Sequence, residues 1–434
     1  GSRSPFARRR RDGAHLVRRA EAMGTRSSLG IVSLVVQKFG GTSVGDADRI
    51  RAVADHIARS RRDGGEVVVV VSAMGKMTDD LVRLADDVSA VQPRREVDML
   101  LSAGERISMA LVCMALAERG IEATSYTGSQ AGIITDAAHT RAKIVEVRAD
   151  RLRSTIEGGG VPVVAGFQGV SIERDVTTLG RGGSDTTAVA LAAVLGADVC
   201  EIYTDVPGVF SADPRVVPSA RKLPRVSFEE MLEMSATGGR VLNLRAVEFA
   251  RNHGVALHVR SSFTWEPGTW VGEEEAGMEQ AIVTAVTHDE SEAKVTVMGV
   301  PDRPGLAARL FRGLADRHVN VDMIVQNTSV HGTTDISFTV PTPDLPASTE
   351  VCEALVPELG ATGVTTDADV ARVSLVGAGM KSTPGVTALT FETLANNGIN
   401  IEMISTSTIR ISCVIRAKAA ETAVRALHEA FELG

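Results

Sequence analysis

Residues 31–37, 67–72, 161–167 and 199–204 are short, nearly unbroken apolar runs rich in Val and Ile, without polar alternation. Such runs predict strands buried on both faces. Between them, 47–62, 97–119 and 186–195 place apolar residues at helical spacing, and Gly196 stands where the last of these helices must stop. Strands separated by helices predict an α/β fold with a largely parallel sheet covered by helices on both faces. Ligands in such sheets bind beyond the carboxyl ends of the strands. The hexapeptide KFGGTS, Lys38 to Ser43, falls at that position behind the first strand.

After about residue 270 the pattern changes. An acidic stretch, Glu273-Glu274-Glu275, reads as a linker, and an internal repeat follows it. KVTVMGVPDRPG (294–305) resembles RVSLVGAGMKSTPG (372–385), and VNVDMI (319–324) resembles INIEMI (399–404). Pro304-Gly305 and Asn320 recur 80 residues later as Pro384-Gly385 and Asn400. Each copy reads strand, Pro-Gly turn, helix, strand, and then a further strand at 334–340 or 409–416, the opening of a βαββαβ module. The expected organisation is a basic leader (1–30, unstructured or extraneous), a catalytic domain (31–270), a linker (271–280) and two regulatory modules (281–365 and 366–434). Two such modules behind a catalytic domain suggest effector binding, because a turn that opens a helix offers unpaired N–H groups to a small carboxylate.

Composition narrows the functions. The chain has 434 residues, 44% hydrophobic but only 3% aromatic, so its cores must be built from Val, Leu, Ala, Ile and Met. No eighteen consecutive residues are apolar, and no membrane association is expected. Cys113, Cys200, Cys352 and Cys413 lie far apart in apolar surroundings, which suits reduced thiols and a cytoplasmic protein. No histidine has zinc-type spacing, and no metal-binding side chains are expected. The net charge is −8, but residues 1–28 hold eight arginines against Asp12 and Glu21, leaving −14 on the remainder. An acidic body argues against nucleic acid as a partner.

The chain has no GxxxxGK[ST] string and no GxGxxG behind a strand. Its glycine loops are Lys38-Phe39-Gly40-Gly41-Thr42-Ser43 and Leu179-Gly180-Arg181-Gly182-Gly183-Ser184-Asp185, both leading into helices. Glycines let backbone N–H groups approach phosphate oxygens, and a lysine and an arginine add the charge that phosphoryl transfer needs. Lys38 is thus a candidate for the β/γ region of a nucleotide. The segment 203–215 is either an ordinary turn or a loop for base and ribose. Glu105 and Arg106 lie in a predicted helix, where a charged pair can equally be a solvated face.

KFGGTSV, SAGERIS, GFQG, TTLGRGGSDTTA and YTDVPGVFSADPR, in this order and ahead of two ACT-like repeats, resemble the aspartate kinases of the amino acid kinase family with C-terminal tandem ACT domains. The resemblance is to the actinobacterial type and covers about residues 34–434. It implies transfer of the ATP γ-phosphoryl group, with Mg²⁺ on the phosphates, to the side chain of L-aspartate. The product is 4-phospho-L-aspartate, the first step toward lysine, threonine and methionine. By resemblance the catalytic residues are Lys38, Arg181 and Asp185. Thr42, Ser43, Ser72, Glu105, Arg181 and Ser184 would hold the substrate, Glu105 taking its ammonium and Arg181 a carboxylate. Lys38, Phe39, Gly40, Gly41, Gly182, Gly183, Thr204, Asp205, Phe210, Ser211, Ala212, Asp213, Pro214, Arg215, Arg240 and Val241 would hold the nucleotide. A carboxylate nucleophile is already ionised at neutral pH and requires no general base.

The resemblance further implies lysine, threonine or both as effectors, near Asp302, Arg303, Pro304, Gly305, Asn320, Val321, Asp322 and Gln326, with Met380, Asn400 and Ile401 facing them. It implies a homodimer or an α2β2 assembly with a regulatory subunit started near Met278. Three positions depart from the pattern: Arg240 in place of a lysine, Thr408 in place of a glutamate, and a short loop at 329–332. The competing expectations are a kinase of acetylglutamate, glutamate or UMP, and a catalytically silent or deregulated amino-acid-sensing paralogue. Glu105 as an ammonium partner disfavours an acylated amine.

Overall fold

The computed structural model describes residues 33–274, 281–327 and 332–434, with backbone alone at 381 and 382. The basic leader, the start of the first predicted strand at 31–32, Met278 in the linker and residues 329–331 of the short loop lie outside the described residues. The chain divides into two units, one running to Pro207 with Arg245–Glu273, the other comprising Gly208–Leu244 with Glu274–Gly434.

In the first unit the four predicted strands, Val199–Thr204, Leu34–Phe39, Glu66–Val71 and Val161–Ala165, lie side by side in one sheet, continued by Leu257–Ser261 and then Thr269–Gly272 next to the first of them and by Ala123–Tyr126 next to the last. All these neighbours are parallel except Thr269–Gly272, which runs antiparallel to Leu257–Ser261. Val67 through Val71 are buried, as an unbroken apolar run covered on both faces must be. The helix Ala47–Arg62 starts at Asp46, whose side chain accepts from the Arg49 N–H, and ends among Arg59, Arg61 and Arg62, which suit the negative end of its dipole. Its Val53 and Ile57 join Val69, Val71, Val112 and Leu116 in the core. The predicted helix 97–119 is in fact two, Arg94–Leu101 and Ala103–Ala117, joined at Ser102. This run is long and apolar enough by composition to cross a membrane, but Met109, Val112 and Leu116 are buried against the sheet and Glu105 is buried within it.

The second unit contains two four-stranded antiparallel sheets. The first module is a complete βαββαβ fold from Glu292–Pro301 to Gly363–Asp367. The second takes strands Val370–Val376, Met403–Thr406 and Arg410–Arg416 and completes its sheet with Ala285–Asp289, which pairs with Val370–Val376. Residues 285–289 thus belong to the second module and not, as expected from the sequence, to the first; the strand pairing interleaves the two, because a strand's partner is not written in its own period. Helices Leu306–Asp316 and Val386–Asn396 open identically, at Gly305 with φ 98° and Gly385 with φ 97°, a left-handed conformation that favours glycine. Segment 208–244 also packs differently from the expected 31–270 domain. Ala212, Val216 and Val217 are buried with Val373, Leu375, Val424 and Leu427 of the second module.

The repeat also shows in charge. Lys294 of the first module pairs with Glu402 of the second, and Arg372 of the second with Asp322 of the first. Lys294 and Arg372 are each the third residue of the equivalent strands, and Asp322 and Glu402 each follow the repeated Asn by two residues.

Candidate active site

Four parallel strands end side by side, and backbone bonds join their ends. Gly40 N–H donates to the Tyr203 carbonyl at 3.1 Å, Ser72 N–H to that of Phe39 at 3.1 Å and Gly166 N–H to that of Val71 at 3.0 Å. Lys38 is the penultimate residue of its strand, and its Nζ lies 2.6 Å from Asp185 Oδ1, both side chains nearly buried. A Cβ placed on Gly40 would stand 3.5 Å from Lys38 Nζ, so the lysine arches over the first glycine. The lysine precedes the glycines because the strand aims it and the loop lies beneath it. At Gly41 a Cβ would come within 2.9 Å of the Ala73 carbonyl, which leaves no room for a side chain.

Asp185 lies in the first turn of Gly183–Leu195, and Gly182 at φ 72° caps that helix in the left-handed region. Arg181 is exposed between Gly180 and Gly182, and Ser184 is buried beside Gly166. Glu105, in the first turn of Ala103–Ala117, is 3% exposed. Its Oε1 accepts from the Ala73 N–H at 3.2 Å, while Oε2 has no hydrogen-bond partner. Burial pushes its carboxyl up to about 7, against only backbone hydrogen bonds that favour the anion. A buried acid with one bare oxygen is suited to receiving an ammonium group.

Among the remaining substrate candidates, Ser43 is buried with its hydroxyl 2.5 Å from that of Ser262, Thr42 is exposed, and Ser72 is half-buried directly after its strand. Among the nucleotide candidates of this unit, Thr204 donates to Asp205 at 3.1 Å, and the Phe39 ring stacks on Tyr203 at 4.7 Å. The others belong to the second unit. Phe210 bridges to Lys222, Ala212 is core, and Pro214 and Arg215 are exposed. Arg215 pairs with Asp213 at 2.6 Å and holds that carboxyl below its usual range. Arg240 is exposed, its guanidinium 3.8 Å from Asp289, with Val241 half-buried next to it. Ser211 differs from expectation. It is fully buried, its hydroxyl engaged with His428 Nε2, the Leu433 carbonyl and the Arg221 N–H, so that its side chain serves the core of the second module.

Of the effector candidates, Asp302, Arg303, Pro304, Gly305, Asn320, Gln326 and Asn400 are exposed, Val321 is half-buried, and Met380 and Ile401 pack on the second module's core. Asp322 is engaged by Arg372. Sequence reasoning missed Ser262 and the aromatic support of Phe39, which carry no local signal. It also missed Arg372, a buried arginine inside a mostly apolar strand, which is visible as a charge breaking the run.

The model of the amino acid kinase family matches residues 33–261, and ACT-domain models match 294–355 and 373–431. The aspartokinase of Mycolicibacterium smegmatis is 58% identical over 93% of this chain and 97% of its own length. The chain belongs to the aspartokinases. Aspartokinase structures agree with that placement: Escherichia coli aspartokinase III in complex with aspartate and ADP superposes with a TM-score of 0.78 at 25% identity, covering 92% of this chain and 99% of the other. The same enzyme with lysine and aspartate gives 0.69 at 26% identity, covering 91% and 99%. Among aspartokinase features, the parallel sheet with helices on both faces and the two C-terminal ACT domains are both present here.

Proposed function

We propose that this aspartokinase transfers the γ-phosphoryl group of ATP to the side-chain carboxylate of L-aspartate. A carboxylate oxygen forms the new bond to phosphorus, the bond to the bridging oxygen breaks, and ADP leaves. Lys38 neutralises charge on the transferred group, and Asp185 holds the ammonium in place at 2.6 Å. Gly40, Gly41, Gly182 and Gly183 admit the phosphates, Glu105 takes the substrate ammonium and Arg181 its carboxylate. The observation that carries this reading is the bare Oε2 of buried Glu105 on the same unit as the Lys38–Asp185 pair. Mg²⁺ fits as a passenger of the nucleotide, since it keeps waters and phosphate oxygens as ligands and supplies charge neutralisation there. Among the described residues no cluster of three His, Cys, Asp or Glu side chains forms a cage for it.

The ACT modules bind lysine, threonine or both at the Pro304-Gly305 turn and around Asn320, Asp322, Gln326, Met380, Asn400 and Ile401. The reaction opens the route to lysine, threonine and methionine. Free thiols at Cys200, Cys352 and Cys413 suit a cytoplasmic enzyme. The assembly is a homodimer or α2β2, the smaller subunit starting at Met278. That start precedes Ala285–Asp289 and so keeps every strand of both modules, whereas the next methionine, Met298, would lose that strand and most of Glu292–Pro301.

The test is Mg-ATP turnover with L-aspartate, trapping the acyl phosphate with hydroxylamine, with lysine, threonine and the pair added in parallel. Aspartyl hydroxamate suppressed by the pair is expected. No hydroxamate, with lysine or threonine still bound, would replace this reading with that of a silent sensor.

A further inference from the structure

The loop that carries Arg181 is anchored by a carboxylate that has no part in the proposed chemistry. Asp98 is fully buried in the helix Arg94–Leu101. Its oxygens accept from His139 Nδ1 at 2.6 Å, from the Thr140 N–H at 3.0 and 3.1 Å and from the Thr178 hydroxyl at 2.5 Å. Thr178 ends the strand Val176–Thr178, immediately before the Leu179–Gly183 loop, and its carbonyl accepts from the Ala142 N–H at 2.9 Å. Thr140 sits at φ 69°, a left-handed conformation that strains a β-branched residue. Its carbonyl lies against Gly180, where a Cβ would come within 3.1 Å. On the far side Arg245 donates to the carbonyls of Leu179 and Ala142, each at 2.9 Å. The strained Thr140, together with His139 and Thr178, is therefore held by one buried acid.

The same helical run carries Glu105, two turns beyond Asp98. Gln168 fixes the joint between the two helices by donating to the Ser102 carbonyl at 2.9 Å. One stiff element thus bears both the proposed ammonium partner and the anchor of the proposed carboxylate partner. We propose that Asp98, with His139 and Thr178, is a positioning unit that fixes the Arg181 loop relative to Glu105 and so sets the length of amino acid the site accepts. This rests on the roles of Glu105 and Arg181 given above. A misplacement of about 1 Å in such a clamp is worth about a hundredfold in rate, and one methylene separates aspartate from glutamate by a similar distance.

The experiment compares Thr178→Val, which keeps shape and loses the donor, with Thr178→Ser, which keeps the donor. It also compares His139→Ala with His139→Asn, whose amide nitrogen stands where Nδ1 stands. Expected for the valine and alanine variants are an aspartate KM raised about tenfold, a kcat/KM preference for aspartate over glutamate reduced about tenfold, and an ATP KM within about twofold of wild type. The serine and asparagine variants should return both values. Should Thr178→Val fail to fold, as judged by circular dichroism, the His139 pair, at the partly exposed edge, decides alone. Unchanged aspartate KM and selectivity overturn the proposal, as does a joint loss of all parameters without rescue. A wild-type enzyme inactive on aspartate removes the proposed function and this inference with it; an active wild type with unmoved variants removes this inference only.

Discussion

Glu105 in the kinase unit and Glu292 in the regulatory unit look alike in isolation. Each is buried, each carries an Oε2 without a hydrogen-bond partner, and desolvation holds each carboxyl above the usual range. Their neighbours separate them. No cation acts on Glu105, which is stabilised only by backbone N–H groups. Glu292 meets Arg372 at 2.8 Å, but that fully buried guanidinium is shared with Asp322 and with Asp289 at 3.9 Å. The first acid is short of a positive charge; the second belongs to a cluster with more acids than its arginine can neutralise. An orphaned carboxylate oxygen therefore marks a ligand site only where no fixed cation already competes for it.

The comparison can be broken most directly at Glu105. Glu105→Gln should lower kcat/KM for aspartate roughly 100- to 1000-fold with little change in ATP KM, since it removes a buried charge partner. It should also stabilise the fold. Because the folded carboxyl titrates at about 7 and the unfolded one near 4.5, burial costs stability as pH rises from 4.5 and costs most above 7. The glutamine variant should gain about 3 kcal/mol at pH 8 in urea unfolding and nothing at pH 4. Equal stability of the two proteins at pH 8 would remove the unpaired-acid picture. Arg372→Met should act in the opposite sense, destabilising the regulatory unit by about 3 kcal/mol because it strands Glu292, Asp289 and Asp322 together.

A smaller effect should appear in the wild-type pH profile. Glu105 must be anionic to receive an ammonium, so kcat/KM for aspartate should fall by up to about tenfold per pH unit below 7. The profile of kcat should hold to lower pH, because bound ammonium favours the anion. Coincident profiles would mean that another group titrates. Smaller still, Glu292→Gln should leave turnover unchanged and alter stability by about 1 kcal/mol in the favourable direction, since it relieves like-charge crowding. Lys294→Met, the counterpart of Arg372→Met in the other module, should cost about 1 kcal/mol or less. Glu402 keeps Arg416 at 2.7 Å when the lysine is gone.

Much of the kinase unit was legible because its signals are local. The buried valine run at 67–71, the helical spacing over 47–62 and the glycines around Lys38 and Arg181 each announce themselves within a few residues. The repeat made the twin Pro-Gly helix starts legible in the same way. What escaped was non-local. Nothing in 285–289 names Val370–Val376 as its partner, nor does the turn-rich segment after residue 208 reveal that Ser211 and Val217 complete another module's core. Asp98 carries no local signal, because its three donors lie 41 to 80 residues away.

The interleaving of the modules also orders their formation. The strand Ala285–Asp289 emerges from the ribosome before the whole first module, yet it cannot pair until Val370–Val376 has followed. The inserted module contains all its own strands and can close early, converting a long, floppy loop into a compact one whose ends already lie near each other. A core mutation in the first module, such as at Phe338, should therefore slow the assembly of the second, although the second contains none of the altered contacts.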